Sequence, residues 1–424
     1  MAKNEPRKIA VVGGGISGIA AAQLLSERHH VTLFEKNHTL GGHTNTRTVS
    51  DPKFGEIAID TGFIVCNPKN YPNFYKLLDS WNVALRNSEM SFGFYCENSS
   101  LQYLGPSLSY LLREPKNLAN QQFLRMLFER TKFNRKILRE LRQETLENIP
   151  LKQYLERLKI SDFFVDHYLA PLIASIWSAP DTNAEQFPTL TFATFFNNHG
   201  MLDINPKLQW QTIVGGSHNY IKAFRKNFVG QIRENAPITG INRSKDKVSL
   251  RFKDGLIETF DKVFLATHAD EALKILEDSD NEERDLLSKW RYSKNHAVLH
   301  SDSNVMPSKR KLWASWNYRR KLGQNKNAPV TITYFMNLLQ GLRASENYFV
   351  TLNSLENIDE KKIIYETTYE HPVYTPDSVV AQEKLLKRNG FRHTYYCGAH
   401  LRYGFHEDGA WSAVQAVNSL KEVV

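Results

Sequence analysis

The sequence predicts a mixed α/β (α+β) fold in which a Rossmann-like domain is interleaved with a second domain of mixed sheet and helices. Three observations near the start of the chain predict it. The apolar run Lys8–Val12 is typical of a buried parallel strand. A G-x-G-x-x-G motif at Gly13, Gly15 and Gly18 follows it and opens a helical segment. The next strand-like run ends on Glu35, so the glycines occupy the turn of a βαβ unit.

The motif spacing gives its residues physical roles in binding a dinucleotide. Gly13 permits the tight turn after the strand, and Gly18 lets the helix pack closely on that strand. Gly15 lets the backbone approach a pyrophosphate at the positive end of the helix dipole. Glu35 is placed to accept hydrogen bonds from an adenosine ribose. The predicted contacts of this unit are Gly13, Gly15, Ile16, Ser17, Gly18, Glu35 and Lys36.

A second glycine pair indicates which dinucleotide is bound. Gly41, Gly42, His43 and Thr44 follow shortly after Glu35. This arrangement resembles the FAD-binding motif of the amine oxidase and phytoene desaturase-like flavoproteins, and it implies FAD as the cofactor. The chain has no second G-x-G-x-x-G and no Cys-x-x-Cys, which argues against disulfide reductases with two dinucleotide domains.

The resemblance implies further cofactor contacts along the chain. Asp60, Thr61, Gly62 and Phe63 follow a strand-like run, and the matching segment of these flavoproteins runs beside the isoalloxazine ring. A plain type I turn is the alternative interpretation. In the last FAD motif of the family, helix N–H groups stabilise negative charge at the pyrimidine end of the flavin. The other implied contacts are Ile238, Ala266, Gly398, Asp408, Gly409 and Ala410.

Composition and charge narrow the class of protein. The 424 residues are 41% hydrophobic, enough for two or three domains with sizeable cores. The net charge of +9 suits anionic membranes, acidic substrates or nucleic acid, and we expect no nucleic-acid partner. Cys66, Cys96 and Cys397 are scattered, as expected of reduced thiols in a cytoplasm. No apolar run is long enough to span a bilayer, and no metal-ligand spacing occurs, so we expect no metal.

Residues 117–143 combine helical periodicity with strong basic charge. Seven Lys or Arg residues stand against two Glu in this stretch. A basic amphipathic helix can lie on an anionic membrane surface, which predicts peripheral contact with the inner membrane. The alternative is a helix that packs on a core and exposes a solvated charged face.

The two kinds of pattern alternate along the chain and predict interleaved domains. Residues 1–70, 206–272 and 390–424 are assigned to the FAD-binding domain. Residues 71–205 and 273–389 are assigned to a substrate-binding domain, with a basic helical region at 117–176. Its strand-like runs carry aromatic residues that we expect to wall an apolar pocket, Trp316, Tyr318, Tyr334 and Phe335.

The whole chain also resembles a bacterial branch of NAD/FAD-binding flavoproteins. That branch is similar to the N-terminal domain of plant cyclopropane fatty acid synthases and is associated with lipid methyltransferases. The resemblance implies a phospholipid acyl chain as substrate and a lipid methyltransferase as partner. The flavin-facing lysine of typical amine oxidases has no identifiable counterpart, which argues against amines. The matching segments are 177–180, 210–217, 295–302, 313–318 and 403–411.

These patterns favour an FAD-dependent oxidoreductase that oxidises or desaturates an apolar substrate by hydride transfer to flavin. Catalysis of this kind needs a base for the accompanying proton, and an imidazole suits that role near neutral pH. His296 and His300 are the candidate bases, with Tyr292 behind them; a structural role for each is the alternative. Two other functions stay open, an FAD amine oxidase acting on a small amine and a non-catalytic flavin-binding subunit of a lipid methyltransferase.

Overall fold

The computed structural model describes residues 5–105, 113–177, 186–203, 208–321, 323, 331–354 and 358–422. Ser178, Ala179 and Pro180, which end one of the segments carrying the family resemblance, lie outside these residues, as does the predicted domain boundary at 205/206.

The strands of the described residues are numbered in chain order. They are β1 (Lys8–Val12), β2 (His30–Phe34), β3 (Thr46–Asp51), β4 (Gly55–Asp60), β5 (Leu85–Ser88), β6 (Phe92–Cys96), β7 (Leu101–Gly105), β8 (Trp210–Ile213), β9 (Gln231–Arg233), β10 (Ile238–Arg243), β11 (Val248–Phe252), β12 (Ile257–Phe260), β13 (Lys262–Leu265), β14 (Arg291–His300), β15 (Trp316–Arg320), β16 (Thr331–Phe335), β17 (Phe349–Leu352), β18 (Ile363–Val373) and β19 (Thr394–Tyr396).

The helices are numbered in the same way. They are α1 (Ile16–Ser26), α2 (Pro72–Ser80), α3 (Gln121–Arg142), α4 (Leu151–Arg157), α5 (Asp162–Phe164), α6 (Ala170–Trp177), α7 (Thr189–Asn198), α8 (His218–Asn227), α9 (Ala269–Ile275), α10 (Asn281–Leu287), α11 (Met336–Leu339), α12 (Pro376–Lys387) and α13 (His406–Glu422).

A five-stranded parallel sheet forms the first layer, in the order β19-β13-β1-β2-β9. Its central strand β1 is buried at every position after Lys8, as expected of a parallel strand covered on both faces. α1 and α13 pack on one face of this sheet through small residues such as Ala20 and Ala413. The sheet confirms the predicted Rossmann-like unit.

The second layer is a seven-stranded mixed sheet in the order β18-β14-β17-β16-β15-β6-β7. Its longest ladder is antiparallel, with Arg291 of β14 opposite Val373 of β18. The helices of residues 113–203 pack on one side of this sheet and form an extensive apolar core with it. The mixed sheet with helices agrees with the predicted second domain.

The packing differs from the predicted domain boundaries at three helices. α2 packs in the same apolar core as α1 and α13, although residues 71–205 were assigned to the substrate domain. α10 and α12, within 273–389, pack with β13 of the parallel sheet. Helical periodicity shows that a segment has an apolar face but not which core that face meets.

The predicted aromatic wall on the mixed sheet is not continuous. Tyr318 is buried and stacks on Phe94, with ring centroids 5.6 Å apart. Phe335 packs instead in a separate cluster with Phe349 and Trp313. Trp316, Tyr318 and Tyr334 share one face of the sheet, since Trp316 is opposite Tyr334, but strand alternation sends Phe335 to the other face.

Candidate functional site

The glycine turn between β1 and α1 has the conformation that its motif predicts. Gly13 has φ of +108°, and a Cβ there would come within 2.6 Å of the Ala266 carbonyl oxygen at the end of β13. A Cβ on Gly18 would come within 1.8 Å of the Gly13 carbonyl oxygen. Both positions therefore require glycine because backbone already occupies the space of a side chain.

Gly15 is different because nothing lies within 4 Å of a Cβ built on it. It is the N-cap of α1 and makes no side-chain cap, and no acidic residue lies in the first turn. The first N–H groups of the helix, at Ile16 and Ser17, therefore begin beside open space. Uncapped N–H groups at a helix N-terminus form an anion site, which fits a pyrophosphate.

Glu35 lies at the end of β2, directly beside the glycine turn. Its carboxylate accepts hydrogen bonds from Gly14 N at 2.8 Å and from Asn37 N at 2.9 Å. An ionised carboxylate offers about four acceptor positions, so two remain for ribose hydroxyls. The segment leading to Ile238 runs alongside, since Ala236 N donates to the Glu35 carbonyl oxygen at 2.9 Å.

Lys36 points away from this arrangement. Its ammonium forms an ion pair with Glu271 of α9, and its side chain is more than half exposed. This orientation gives no support to the predicted contact between Lys36 and the cofactor.

The second glycine pair contacts the first glycine motif. Gly41 N donates to the Gly14 carbonyl oxygen at 2.8 Å, and a Cβ on Gly42 would lie 3.3 Å from Gly15 Cα. Both residues have positive φ, +134° and +58°. The two glycine motifs are separate in the sequence, but in the fold they border the same open space.

His43 presents a buried nitrogen to this region. Its Nε2 has no hydrogen-bond partner among the described residues. The ring stacks on Tyr369, with centroids 5.2 Å apart, and lies at the same distance from His371, both on β18. Burial first, and then the neighbouring imidazoles, hold the pKa of His43 well below its usual range. A neutral ring with an unused nitrogen fits a polar group of a bound dinucleotide.

Thr44 and Phe63 meet at a second histidine. The Thr44 hydroxyl shares hydrogen bonds with Tyr220 OH at 2.6 Å and with His406 Nε2 at 2.9 Å. Phe63 stacks on the His406 ring with centroids 3.6 Å apart. Burial lowers the pKa of His406 to about 3, so its imidazole is neutral. This cluster joins the second glycine motif to the first residue of α13.

The Asp60 side chain is fully buried and hydrogen-bonded to neighbouring side chains. Its carboxylate accepts hydrogen bonds from Ser217 Oγ at 2.7 Å and Gln340 Nε2 at 2.9 Å, and burial raises its pKa to about 6. The Thr61 hydroxyl donates to the Asn45 carbonyl oxygen at 2.9 Å.

Gly62 brings its own backbone against the second glycine motif. A Cβ there would come within 2.0 Å of the His43 carbonyl oxygen. Residues 60–63 are hydrogen-bonded to residues 43–46 along their backbones. The segment is therefore more than a plain type I turn, because it packs closely against the second glycine motif.

The acid-Gly-Ala motif lies within the first turn of α13, which begins at His406. A Cβ on Gly409 would come within 2.7 Å of both Ile16 Cγ2 and Ser17 Oγ, so the N-termini of α13 and α1 are in contact. Ala410 is fully buried beside them.

Two carboxylates at this helix start are committed to backbone groups. Asp408 accepts from Phe405 N at 2.9 Å, and its burial raises its pKa to about 7. Glu407 accepts from Asn73 N and Phe74 N, at the first turn of α2. At the end of β19, Gly398 N donates to Ser412 Oγ at 2.9 Å, which fixes that strand to the same helix.

Aromatic side chains of the helical region meet the residues immediately before α13. Trp177 Nε1 donates to the Tyr403 carbonyl oxygen at 3.0 Å. The Phe195 ring lies 5.0 Å from Phe405 and 5.7 Å from Tyr403. His199 stacks on Phe195 at 3.9 Å, and burial lowers its pKa to about 4. An aromatic cluster of buried and half-buried side chains thus adjoins the start of α13, which carries the last motif.

The three predicted catalytic residues lie along β14 and are not brought together. Tyr292 and His300 are separated by about 26 Å of strand. Tyr292 stacks on His268, and its hydroxyl accepts from Ala269 N. His296 is exposed, 3.8 Å from Glu366. His300 is buried and hydrogen-bonded to Thr351 Oγ1 at 2.8 Å, and burial lowers its pKa to about 4. These contacts favour the structural alternative for each.

Several residues of the site carry no motif in the sequence. Tyr369 and His371 reach His43 because β18 pairs with β14, and Asn295 of β14 hydrogen-bonds His371 Nδ1 at 2.9 Å. Tyr220 reaches Thr44 from α8. His406 alone had a signal, since it stands two residues before Asp408 in the last motif.

The geometry agrees with comparisons to known proteins. The family described as flavin containing amine oxidoreductase matches residues 16–300. A 4,4'-diapophytoene desaturase of Staphylococcus aureus is 54% identical over 39 residues, 9% of this chain; the matched segment spans only 8% of that curated relative.

Two solved structures share the fold over nearly the whole chain. A CLA-producing fatty acid isomerase from P. acnes has a TM-score of 0.71 at 15% identity, covering 98% of this chain and 99% of that one. Cyclohexylamine oxidase from Brevibacterium oxydans has a TM-score of 0.70 at 13% identity, covering 98% and 100%. At such low identity the likeness establishes the fold and leaves the substrate undetermined.

Proposed function

Because the chain belongs to the flavin containing amine oxidoreductase family, whose members bind FAD, we propose that it oxidises or desaturates an apolar substrate such as a phospholipid acyl chain. FAD, when bound, supplies the hydride acceptor for such chemistry. The residues of the chain bind and orient the cofactor and exclude water. Gly15 and the start of α1 would hold the pyrophosphate, and Glu35 the ribose.

The aromatic cluster before α13, in which Trp177 and Phe195 are buried and Phe405 is half-buried, is the observation that carries the proposal. Trp177, Phe195 and Phe405 lie together at the start of the helix that bears the last FAD motif. A substrate that reached the flavin from this side would contact these aromatic side chains. Apolar chains gain free energy from such contacts in proportion to the area that they bury.

The carboxylates at the site argue against an amine. Glu407 is engaged by two backbone N–H groups of α2, and Asp408, whose pKa burial raises to about 7, lies 3.8 Å from the Arg402 guanidinium. An ammonium substrate would need an ionised, unengaged carboxylate or an aromatic cage.

Anaerobic flavin bleaching tests the proposal. The purified protein, with FAD confirmed by its visible spectrum, is mixed with phospholipids bearing monounsaturated or methyl-branched chains, and separately with a panel of amines. We expect loss of the oxidised flavin absorbance with a lipid. Bleaching by an amine alone would overturn the proposal in favour of a small-amine oxidase. If no substrate or reductant bleaches the flavin, a non-catalytic subunit of a lipid methyltransferase becomes the better interpretation.

A matched pair of variants locates the substrate. Trp177→Leu removes a ring from the cluster before α13, whereas Trp313→Leu removes one from a distant cluster. Both indoles donate to a backbone carbonyl oxygen, at 3.0 Å and 2.7 Å, and because Trp177 is the more buried of the two, the melting temperature of each variant is measured as its structural cost. We expect the rate of bleaching at low lipid concentration to fall at least tenfold in Trp177→Leu alone. An equal fall in the bleaching rate of both variants would mean that the aromatic cluster before α13 does not bind the substrate.

A further inference from the structure

The outer face of α3 combines exposed apolar side chains with uniform positive charge. Burial along the helix separates two faces. Phe123, Met126, Phe133 and Ile137 are buried against the helical core. The exposed positions of this helix, all of which the structure describes, are Gln121, Gln122, Leu124, Arg125, Phe128, Lys132, Arg135, Arg139 and Arg142.

This exposed face is strongly biased in charge. It carries five basic side chains and no acidic one: Glu129 is buried and pairs with Arg125 of this face at 3.1 Å, and Glu140 is half-buried in a pair with Lys136. Ordinary solvated helices mix the two signs. A face of one sign attracts surfaces of the opposite sign, and here the attraction extends over a helix of about 33 Å.

Three large apolar side chains stand out from the same face. Phe128 is 71% exposed, Leu124 is 44% exposed, and Leu118, in the short helical turn just before α3, is 45% exposed. Leu124 and Phe128 are four residues apart and so are neighbours on the helix. The core side of α3 is formed by other residues, so the exposed Phe128 side chain does not contribute to this core. Exposed apolar side chains that lie together can mark a site of interaction.

A basic turn lies beside the start of this face. Lys309 pairs with Glu114, and the Lys311 carbonyl oxygen accepts from Arg113 Nη1 at 3.3 Å. Arg310 and Lys311 are exposed in that turn. The turn therefore adds exposed basic residues beside Arg113 and Glu114, which precede α3 in the chain.

We propose that this face docks on an anionic phospholipid bilayer. Leu118, Leu124 and Phe128 enter the boundary between headgroups and acyl chains, and the arginines and lysines around them lie at the level of the phosphates. Nucleic acid would match the charge but would leave the three apolar side chains without a partner. None of the described helices is both long and apolar enough to cross a bilayer, so contact through this face is peripheral.

The binding test uses the full chain loaded with FAD and needs no turnover, so its outcome is independent of the proposed reaction. Vesicles of phosphatidylcholine with phosphatidylserine are sedimented with the protein, and vesicles of phosphatidylcholine alone serve as the comparison. We expect binding to the anionic vesicles that weakens as salt rises. Equal binding to both kinds of vesicle, or binding to single-stranded RNA but not to vesicles, would overturn the proposal.

Two variants separate the apolar and the charged contributions. Leu124→Ser with Phe128→Ser removes the apolar insertion, and Lys132→Glu with Arg135→Glu reverses two charges. Each basic residue near an anionic leaflet strengthens binding about fivefold, so we expect the charge variant to bind at least 25-fold more weakly. All four side chains are exposed, so the FAD spectrum and the melting temperature should be unchanged.

The matched control lies on α12, which also exposes one apolar residue and two lysines. Val380→Ser with Lys384→Glu and Lys387→Glu makes the same kinds of change, and the same change in net charge as the charge variant of α3, on a helix that also exposes Asp377 and Glu383. We expect vesicle binding within twofold of the unmodified protein. A comparable loss in this control would mean that net charge, and not the face of α3, governs binding, and the proposal would fail.

Discussion

Gly409 lies against Ser17: a Cβ on Gly409 would come within 2.7 Å of the serine Oγ. Through this contact the N-terminus of α13 is held against the N-terminus of α1, although the two helices stand at opposite ends of the chain. Both helix dipoles therefore present their positive ends to the same region. A bound FAD would meet two sets of N–H groups fixed by a position that only glycine can occupy.

Gly409→Ala should destabilise the protein. The added methyl group would meet Ile16 Cγ2 and Ser17 Oγ at 2.7 Å and push the two helices apart, at a cost of about 1–3 kcal/mol. Thermal unfolding of the FAD-free protein measures the loss. Gly105→Ala is the control, because its nearest contact would be at an ordinary 3.9 Å. Equal melting temperatures for Gly409→Ala and the unmodified protein would mean that the helices separate without cost.

Gly15→Ala should leave the fold intact and weaken FAD binding. The position has φ of −76°, which any residue adopts, and nothing within 4 Å of the new methyl group. Stability should change by no more than about 1 kcal/mol, the scale of an N-cap substitution. The methyl group would fill the space that a pyrophosphate needs, so FAD titration should give an affinity at least tenfold weaker. An unchanged affinity would place the phosphates elsewhere.

Asp408→Asn should stabilise the FAD-free protein above neutral pH. Burial raises the pKa of Asp408 to about 7, above its value of 3.8 in the unfolded chain. The folded state therefore binds the extra proton between these pH values, and stability falls as pH rises from about 4 to about 7, by at most about 4 kcal/mol. The amide cannot ionise, so the slope in a series of thermal unfolding curves should fall by the contribution of Asp408, while Asp60, whose pKa is raised to about 6, still contributes. A variant that keeps the slope would assign it to another group.

Arg243→Met should cost about 3–5 kcal/mol of unfolding free energy. The guanidinium is fully buried and donates to both Glu283 oxygens, at 2.6 Å and 2.7 Å, and it holds the pKa of Glu283 down to about 2. Its removal leaves that carboxylate buried without its charge partner. Urea unfolding compares it with Arg251→Met on the neighbouring strand, whose pair with Glu277 is exposed and should contribute less than about 1 kcal/mol. Similar losses for both arginines would contradict the argument from burial.

The cofactor site was largely predictable because its determinants are local. Gly13 and Gly18 sit where they do because a strand, a turn and a helix follow one another within a few residues. The pair Gly41 and Gly42 adds a second turn whose conformations only glycine readily adopts. Such backbone requirements leave a signature in any single sequence.

The surroundings of that site were not predictable for the opposite reason. Tyr369 and His371 reach His43 only through the pairing of β18 with β14, and a strand pattern does not reveal its partner or register. The same limit affected His300, where strand alternation could not distinguish a buried structural imidazole from one that faces a substrate.

The order of strands in the parallel sheet also bears on how the protein is made. β19, which completes the sheet beside β13, and α13, which packs on α1, are synthesised several hundred residues after β1 and β2. The first βαβ unit of the nascent chain therefore stays without these neighbours, with apolar strand edges exposed, while the residues between are added. A site built on the N-termini of both α1 and α13 is complete only after α13 has been translated.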